Sequence, residues 1–175
     1  MKTSTEITLR NWAKEDFQTV RNILLVTWKD AYHFIPEKDI ITHLENYYSE
    51  VKLLELFNKH LVKGILADLE SKSVGWMKLF NDEMTDKFFI SSLYVLPEFQ
   101  GYGIGKKLLV KAEETAAKLR HDKVWLGVMK DNVKALEWYK KLGFQFVEEE
   151  LFKMGETEVM HLIGYKLINH SNSHS

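Results

Sequence analysis

The segment Ser92–Leu109, SLYVLPEFQGYGIGKKLL, constrains this chain more than any other. The apolar, aromatic-rich run Phe88–Leu96 reads as a strand buried on both faces, and it stops at Pro97. Glycines follow at 101, 103 and 105. Then Ile104–Leu119 sets Ile104, Leu108, Leu109, Ala112, Ala116 and Leu119 on one helical face. Glycine tolerates positive φ and lets another group approach the backbone closely. Unpaired N–H groups at a helix start, together with the helix dipole, attract anions. Lys106 and Lys107 stand in the first turn, where cations are disfavoured unless a bound anion reverses the sign. The turn therefore reads as a phosphate cradle, with a plain glycine turn and two solvated lysines as the alternative. It is not the dinucleotide pattern, because Lys106 occupies the place of the third glycine. It is not a P-loop either, because Gln100 and Lys107 break that spacing.

The flanking sequence supplies a mixed sheet. Glu6–Asn11 alternates as a strand, and Trp12–Lys29 carries Phe17, Val20, Ile23, Leu24 and Trp28 at helical spacing. Pro36–His60 predicts one or two helices with Leu53, Leu54, Leu56 and Phe57 inward. Val62–Leu69 and Ser73–Phe80 read as strands joined by a turn at Glu70-Ser71-Lys72. Lys123–Met129 is a strand, and Asn132–Leu142 is a helix that Gly143 stops as a left-handed cap. Phe144–Glu149 and Val159–Leu167 are the last strands, with Glu148–Glu150 read as a solvated turn. The order βα(α)βββαβαββ is an α/β fold with a mixed α+β sheet. Residues 1–168 form the expected domain, and 169–175 a polar frayed tail. His170 and His174 are four apart, but Ser and Asn around them do not make a stable helix, so no metal site is expected.

Composition removes several function classes. The 24 Lys and Arg against 25 Asp and Glu give a net charge of −1, which disfavours nucleic-acid binding. The absence of cysteine excludes a cysteinyl acyl-enzyme, thiolate zinc sites and disulfides. No apolar run approaches a membrane span, and Met1–Arg10 lacks the apolar core of a signal peptide. A cytoplasmic protein is the expectation.

The spacing Gln100-x-x-Gly103-x-Gly105 after a strand and before a helix resembles motif A of the GCN5-related N-acetyltransferases (GNAT). Asn132-Val-Lys-Ala-Leu-Glu-Trp-Tyr139-Lys-Lys-Leu-Gly143-Phe144 is similar to the same family's N-x-x-A-x-x-x-Y-x-x-x-G-F signature. The resemblance spans about Ile7 to Ile168 and implies acetyl-CoA as co-substrate and a splayed central strand pair. In this sequence it puts the pyrophosphate on backbone N–H groups of Gln100, Gly101, Tyr102, Gly103, Ile104, Gly105 and Lys106. It puts the pantetheine arm along Leu93, Tyr94 and Val95, added like a strand. The Val95 N–H becomes the oxyanion donor, an effect worth roughly 2.7–4 kcal/mol. Tyr139 becomes the general acid for the departing thiolate, and Asn132 a helix cap that also touches the cofactor arm.

Many relatives carry a Glu on the motif A strand, whereas Ile90-Ser91-Ser92-Leu93 has no carboxylate here. The base is then a water chain or a group such as Asp30 or His33. The resemblance puts the acceptor near Trp28, Asp30, Tyr32, His33, Phe34, Glu37 and Asp39, opposite Phe146, Glu148–Glu150, Phe152 and Met154. The wording WLGVMKDNVKALEWYKKLGF is similar to the bacterial spermine/spermidine acetyltransferase-like branch. It implies transfer to a primary amine, with a polyamine first and a peptide or protein amine second; with no cysteine for an acyl-enzyme, direct attack in a ternary complex is the simplest mechanism. A non-catalytic acyl-CoA sensor is the reading from another class. No nucleic-acid or membrane partner is expected, and homodimers are common in the family.

Overall fold

The structure is a computed structural model that describes residues 6–169. The 170–175 end, with His170 and His174, lies outside the described residues. Seven strands form one sheet: β1 (Ile7–Asn11), β2 (Val62–Leu69), β3 (Lys72–Asp82), β4 (Lys87–Val95), β5 (Lys123–Met129), β6 (Gln145–Met154) and β7 (Thr157–Leu167). Their spatial order is β1-β2-β3-β4-β5-β7-β6. The helices are α1 (Phe17–Ala31), α2 (Glu37–Tyr48), α3 (Glu50–Phe57), α4 (Ile104–Lys118) and α5 (Val133–Lys141). This is the mixed α/β order expected from the sequence. No helix among the described residues is long and apolar enough to cross a membrane.

Two facts about the sheet position the site. First, β1 to β4 run as an antiparallel meander, while β4 meets β5 in parallel through the single register pair Phe89↔Trp125. Beyond that pair the two strands part towards their C-terminal ends. Second, alternation along a strand sends neighbours to opposite faces. A Cβ on Gly75 would meet Ile104 and Leu108 of α4 at 3.2 and 3.3 Å, while Trp76 packs on Trp12 at 5.0 Å between rings. Helices α1 to α3 thus cover one face, and α4 and α5 the other.

Local chemistry shifts several element ends. Helix α1 begins only at Phe17, because Asp16 accepts the Ala13 N–H at 2.7 Å and pairs with Arg10, closing a short 3₁₀ turn first. Leu54 is 40% exposed rather than inward: α3 is two turns long, and only Leu53 is fully buried on its apolar stripe. Leu119 is 46% exposed because it follows the last residue of α4, where Arg120 takes φ 65°. Lys72 belongs to β3 rather than to the turn before it. Glu148–Glu150 are not a turn but exposed positions of β6, an edge strand whose register slips between Phe146 and Glu148. Strand β4 is not buried on both faces: Ser91 is exposed at the register shift between β3 and β4, two residues past the single β4–β5 pair. Gly143 takes φ 102° after α5, and the Phe144 N–H returns to the Tyr139 carbonyl at 3.1 Å.

Candidate active site

A short 3₁₀ turn at Pro97–Phe99 carries the chain from β4 into the glycine segment. Gly101 and Gly103 adopt φ of 86° and 83°, the left-handed region open to glycine. A Cβ at either would meet nothing within 4 Å, so the space above them is open. The N–H groups of Gly101 through Lys106 make no hydrogen bond to any described residue. Gly103 is the N-cap of α4, and its carbonyl accepts from Lys107 at 3.1 Å. Gln100 differs from its neighbours: its N–H closes on Pro97 at 3.3 Å. Its side chain instead braces the turn, donating to the Val95 carbonyl at 3.0 Å and accepting from Lys134 at 3.2 Å. Gly105 needs its lack of a side chain, since a Cβ would meet the Trp138 ring at 3.2 Å.

The two lysines divide. Lys107 donates to the Ile7 carbonyl and ties α4 to β1. Lys106 is exposed and makes no ion pair among the described residues. Tyr102 is 66% exposed over the turn, whereas the Ile104 side chain is core and only its N–H faces the turn.

The opening between β4 and β5 begins beside this turn. The Leu96 N–H bonds to Val74 at 2.9 Å, so the neighbouring pair Gly75↔Val95 is of the non-hydrogen-bonded kind. The Val95 N–H therefore faces away from β3 and into the gap, as does that of Leu93, whose partner is Met77. Tyr139 of α5 is 8% exposed, held edge-on by Trp138 at 4.9 Å and Phe144 at 5.4 Å. Its hydroxyl makes no hydrogen bond to a described residue. Burial and the nearby Tyr94 raise its pKa, so it keeps its proton. Asn132 stands at the N-cap of α5 but its side chain makes no capping bond, which corrects the capping expectation. Its N–H closes on Met129 at 2.9 Å, leaving the amide side chain uncommitted.

On the α1–α3 face, the gap is roofed by aromatic groups. Trp28 stands edge-on to Tyr94 of β4 at 6.1 Å, and the Tyr32 and Tyr94 hydroxyls lie 3.3 Å apart. Burial raises the pKa of both tyrosines. Trp28 also meets His43 of α2 at 5.5 Å, and His43 meets Phe152 of β6 at 5.5 Å. Phe152 in turn stacks on His161 of β7 at 4.2 Å and 8°. Lys78 donates to the Tyr48 hydroxyl at 3.1 Å and sits over its ring. Burial, helped by Lys78, pushes His43 down to about 4.

The expected acceptor residues separate on this geometry. Trp28 and Tyr32 are buried at the gap, while Asp30 and His33 are exposed at the end of α1. Glu37 pairs with Lys29. Asp39 is committed to structure: it accepts from Thr157 at 2.6 Å and from the Glu156 N–H at 3.1 Å, pinning α2 to the β6–β7 turn. His43, Tyr48, Lys78 and His161 were not anticipated. A histidine on the apolar side of a helix, as His43 is beside Ile40 and Leu44, is the one signal the sequence held. Among the described residues no group of three or more His, Asp or Glu could hold a metal ion. A solvent-open groove of about 630 Å³ at Arg10, Asp16 and Ser73 contains none of these groups, and its arginine is already paired with Asp16 and Asp68.

Comparison with known proteins bears on the family and the fold. The family model for the acetyltransferase (GNAT) family matches residues 9–144. An uncharacterised N-acetyltransferase of Methanocaldococcus jannaschii is 29% identical over 160 residues, 83% of this chain and 63% of the relative. The chain thus spans less than two thirds of that relative's length. Spermidine N(1)-acetyltransferase of Thermoplasma acidophilum is 29% identical over 144 residues, covering 79% of this chain and 88% of the relative. The crystal structure of PaiA N-acetyltransferase from T. acidophilum in complex with coenzyme A superposes with a TM-score of 0.79 at 26% identity, covering 93% of this chain and 99% of that one.

Proposed function

This chain belongs to the GNAT family of acetyltransferases, and on that premise we propose that it moves an acetyl group from acetyl-CoA to a primary amine by direct attack in a ternary complex. The observation that carries the reading is the row of unengaged N–H groups from Gly101 to Lys106, open to solvent, beside a parted strand pair. These residues fit a diphosphate: backbone donors and a helix start lie where the space above Gly101 and Gly103 is open, and Lys106 beside them has no ion pair among the described residues. The pantetheine arm then follows Leu93, Tyr94 and Val95, and Asn132 offers it a side-chain amide that makes no capping bond. Acetyl-CoA supplies the thioester. The Val95 N–H receives the charge that develops on its carbonyl oxygen, and Tyr139 holds the proton for the leaving sulfur. Burial of Tyr139 keeps that proton in place at neutral pH.

The acceptor reading is a polyamine, supported by the T. acidophilum spermidine acetyltransferase and by Glu148 and Glu150. These are exposed and make no ion pair among the described residues. A peptide or protein amine is the second reading. It is favoured by Lys78, a half-buried cation with no ion pair among the described residues, which suits an acceptor bearing a carboxylate. A panel of spermidine, spermine and lysine-bearing peptides, followed by thiol release from acetyl-CoA, separates them. Turnover of spermidine or spermine supports the first reading. Turnover of peptides alone supports the second. Coenzyme binding with no turnover of any amine indicates a sensor.

A further inference from the structure

The reading above leaves the acceptor's proton without a destination: β4 carries no carboxylate at the gap, and Asp30 and His33 are exposed at the end of α1. A histidine that the reading has not used stands across β5, on β7. Gly127 is an exposed glycine in mid-strand, two residues past the last β4–β5 pair. A glycine inside a strand commonly marks a close approach by another group. A Cβ there would stand 3.4 Å from His161 Nδ1 and 3.0 Å from Ile163. The imidazole of His161 and the Ile163 side chain thus pack against the bare backbone of Gly127, on the strand next to the gap. The ring is held flat on Phe152, which His43 meets edge-on at 5.5 Å.

Resting on the acetyltransferase reading, we propose that His161 accepts the proton from the acceptor's ammonium group, directly or through one water. The neutral amine then forms the C–N bond to the acetyl carbon as the C–S bond breaks. Tyr139 gives its proton to the departing sulfur and is refilled by the second N–H proton of the amine. His161 releases its proton to solvent, so the net products are amide, thiol and one proton.

The surroundings favour His161 over His43. The Nδ1 atom of His43 is sealed from solvent without a partner, and its pKa near 4 makes it a weak proton acceptor. Burial alone lowers the pKa of His161, so its imidazole is neutral at pH 7. The titratable groups facing His161 are few. Helix α2 brings His43, and β6 brings Glu150, its register partner. Strand β3 brings Lys78, which acts on His43. On β5 the register partner is Met129, with the bare backbone of Gly127 alongside, and neither titrates.

The test uses the full chain with His161→Gln and His161→Phe, the latter keeping an aromatic stack on Phe152. Coenzyme A binding by calorimetry comes first. If wild type binds none, the acetyltransferase reading itself fails. With binding intact, spermidine, spermine and a lysine peptide are assayed for the pH dependence of kcat/KM. Both variants should lose about 10²-fold or more in kcat, lose the acidic limb of the profile, and keep their affinity for coenzyme A. Independently of turnover, the His161 Cε1 signal in histidine-labelled protein should titrate below the usual 6.5 and move when coenzyme A and an amine of the panel are added together. Variants with unchanged kcat and pH profile overturn the proposal. So does a His161 signal that ignores every amine in protein that binds coenzyme A.

Discussion

Tyr139 and Asp39 show how differently two buried polar groups are used. The Tyr139 hydroxyl makes no hydrogen bond to a described residue, so replacing it with hydrogen should cost little structure. Tyr139→Phe should lower kcat by about 10²-fold with coenzyme affinity and melting temperature nearly unchanged, read by steady-state kinetics and calorimetry; an unaltered kcat removes the acid role. Asp39 is the reverse case, with every bond directed to the protein. Hydrogen bonds from Thr157 and the Glu156 N–H hold its pKa below the carboxylate range. A depressed pKa contributes stability at pH values above the unfolded one, near 3.9, and that contribution is lost as pH falls through the native value. Asp39→Asn should therefore destabilise at neutral pH and flatten the acid limb of stability in urea titrations across roughly pH 5 to 2. Neither role was fully legible in the chain. The Tyr139 motif is local, but Asp39 finds its partner Thr157 at a sequence separation of 118, and only the tertiary fold brings α2 to the β6–β7 turn.

Among elements, the turn between β4 and α4 was the most readable, because its constraints lie within a few residues of one another. The left-handed φ of Gly101 and Gly103 and the start of α4 at Ile104 follow from local chemistry. What was not readable depended on neighbours. Ser91 is exposed at a register shift against β3, and the extended course of Glu148–Glu150 follows from pairing with β7. Gly103→Val should strain the turn by about 1–2 kcal/mol and raise the Kd for coenzyme A by about tenfold. Calorimetry checks this, and an unchanged Kd means that the turn is not the binding element. Gly127→Val would crowd Ile163 and displace His161. It should abolish acceptor turnover while leaving coenzyme binding intact.

For the whole molecule, the sheet is two antiparallel sets, β1–β4 and β5–β7–β6, that meet through one parallel register pair and part beside it. Occupying that opening with coenzyme should couple the two halves. At a free concentration of 100 times Kd, a ligand that binds only the folded state adds about 2.7 kcal/mol. At this chain length that corresponds to a rise in Tm of roughly 5–11 °C in thermal denaturation. The central claim, that free N–H groups of the glycine turn grip a diphosphate, is tested most directly by amide hydrogen exchange at Gly101–Lys106, with and without coenzyme A. Those amides should exchange rapidly in the free protein and become protected when coenzyme A is added, in step with occupancy. Amides already protected in the free protein, or unaltered at saturating coenzyme, would contradict it.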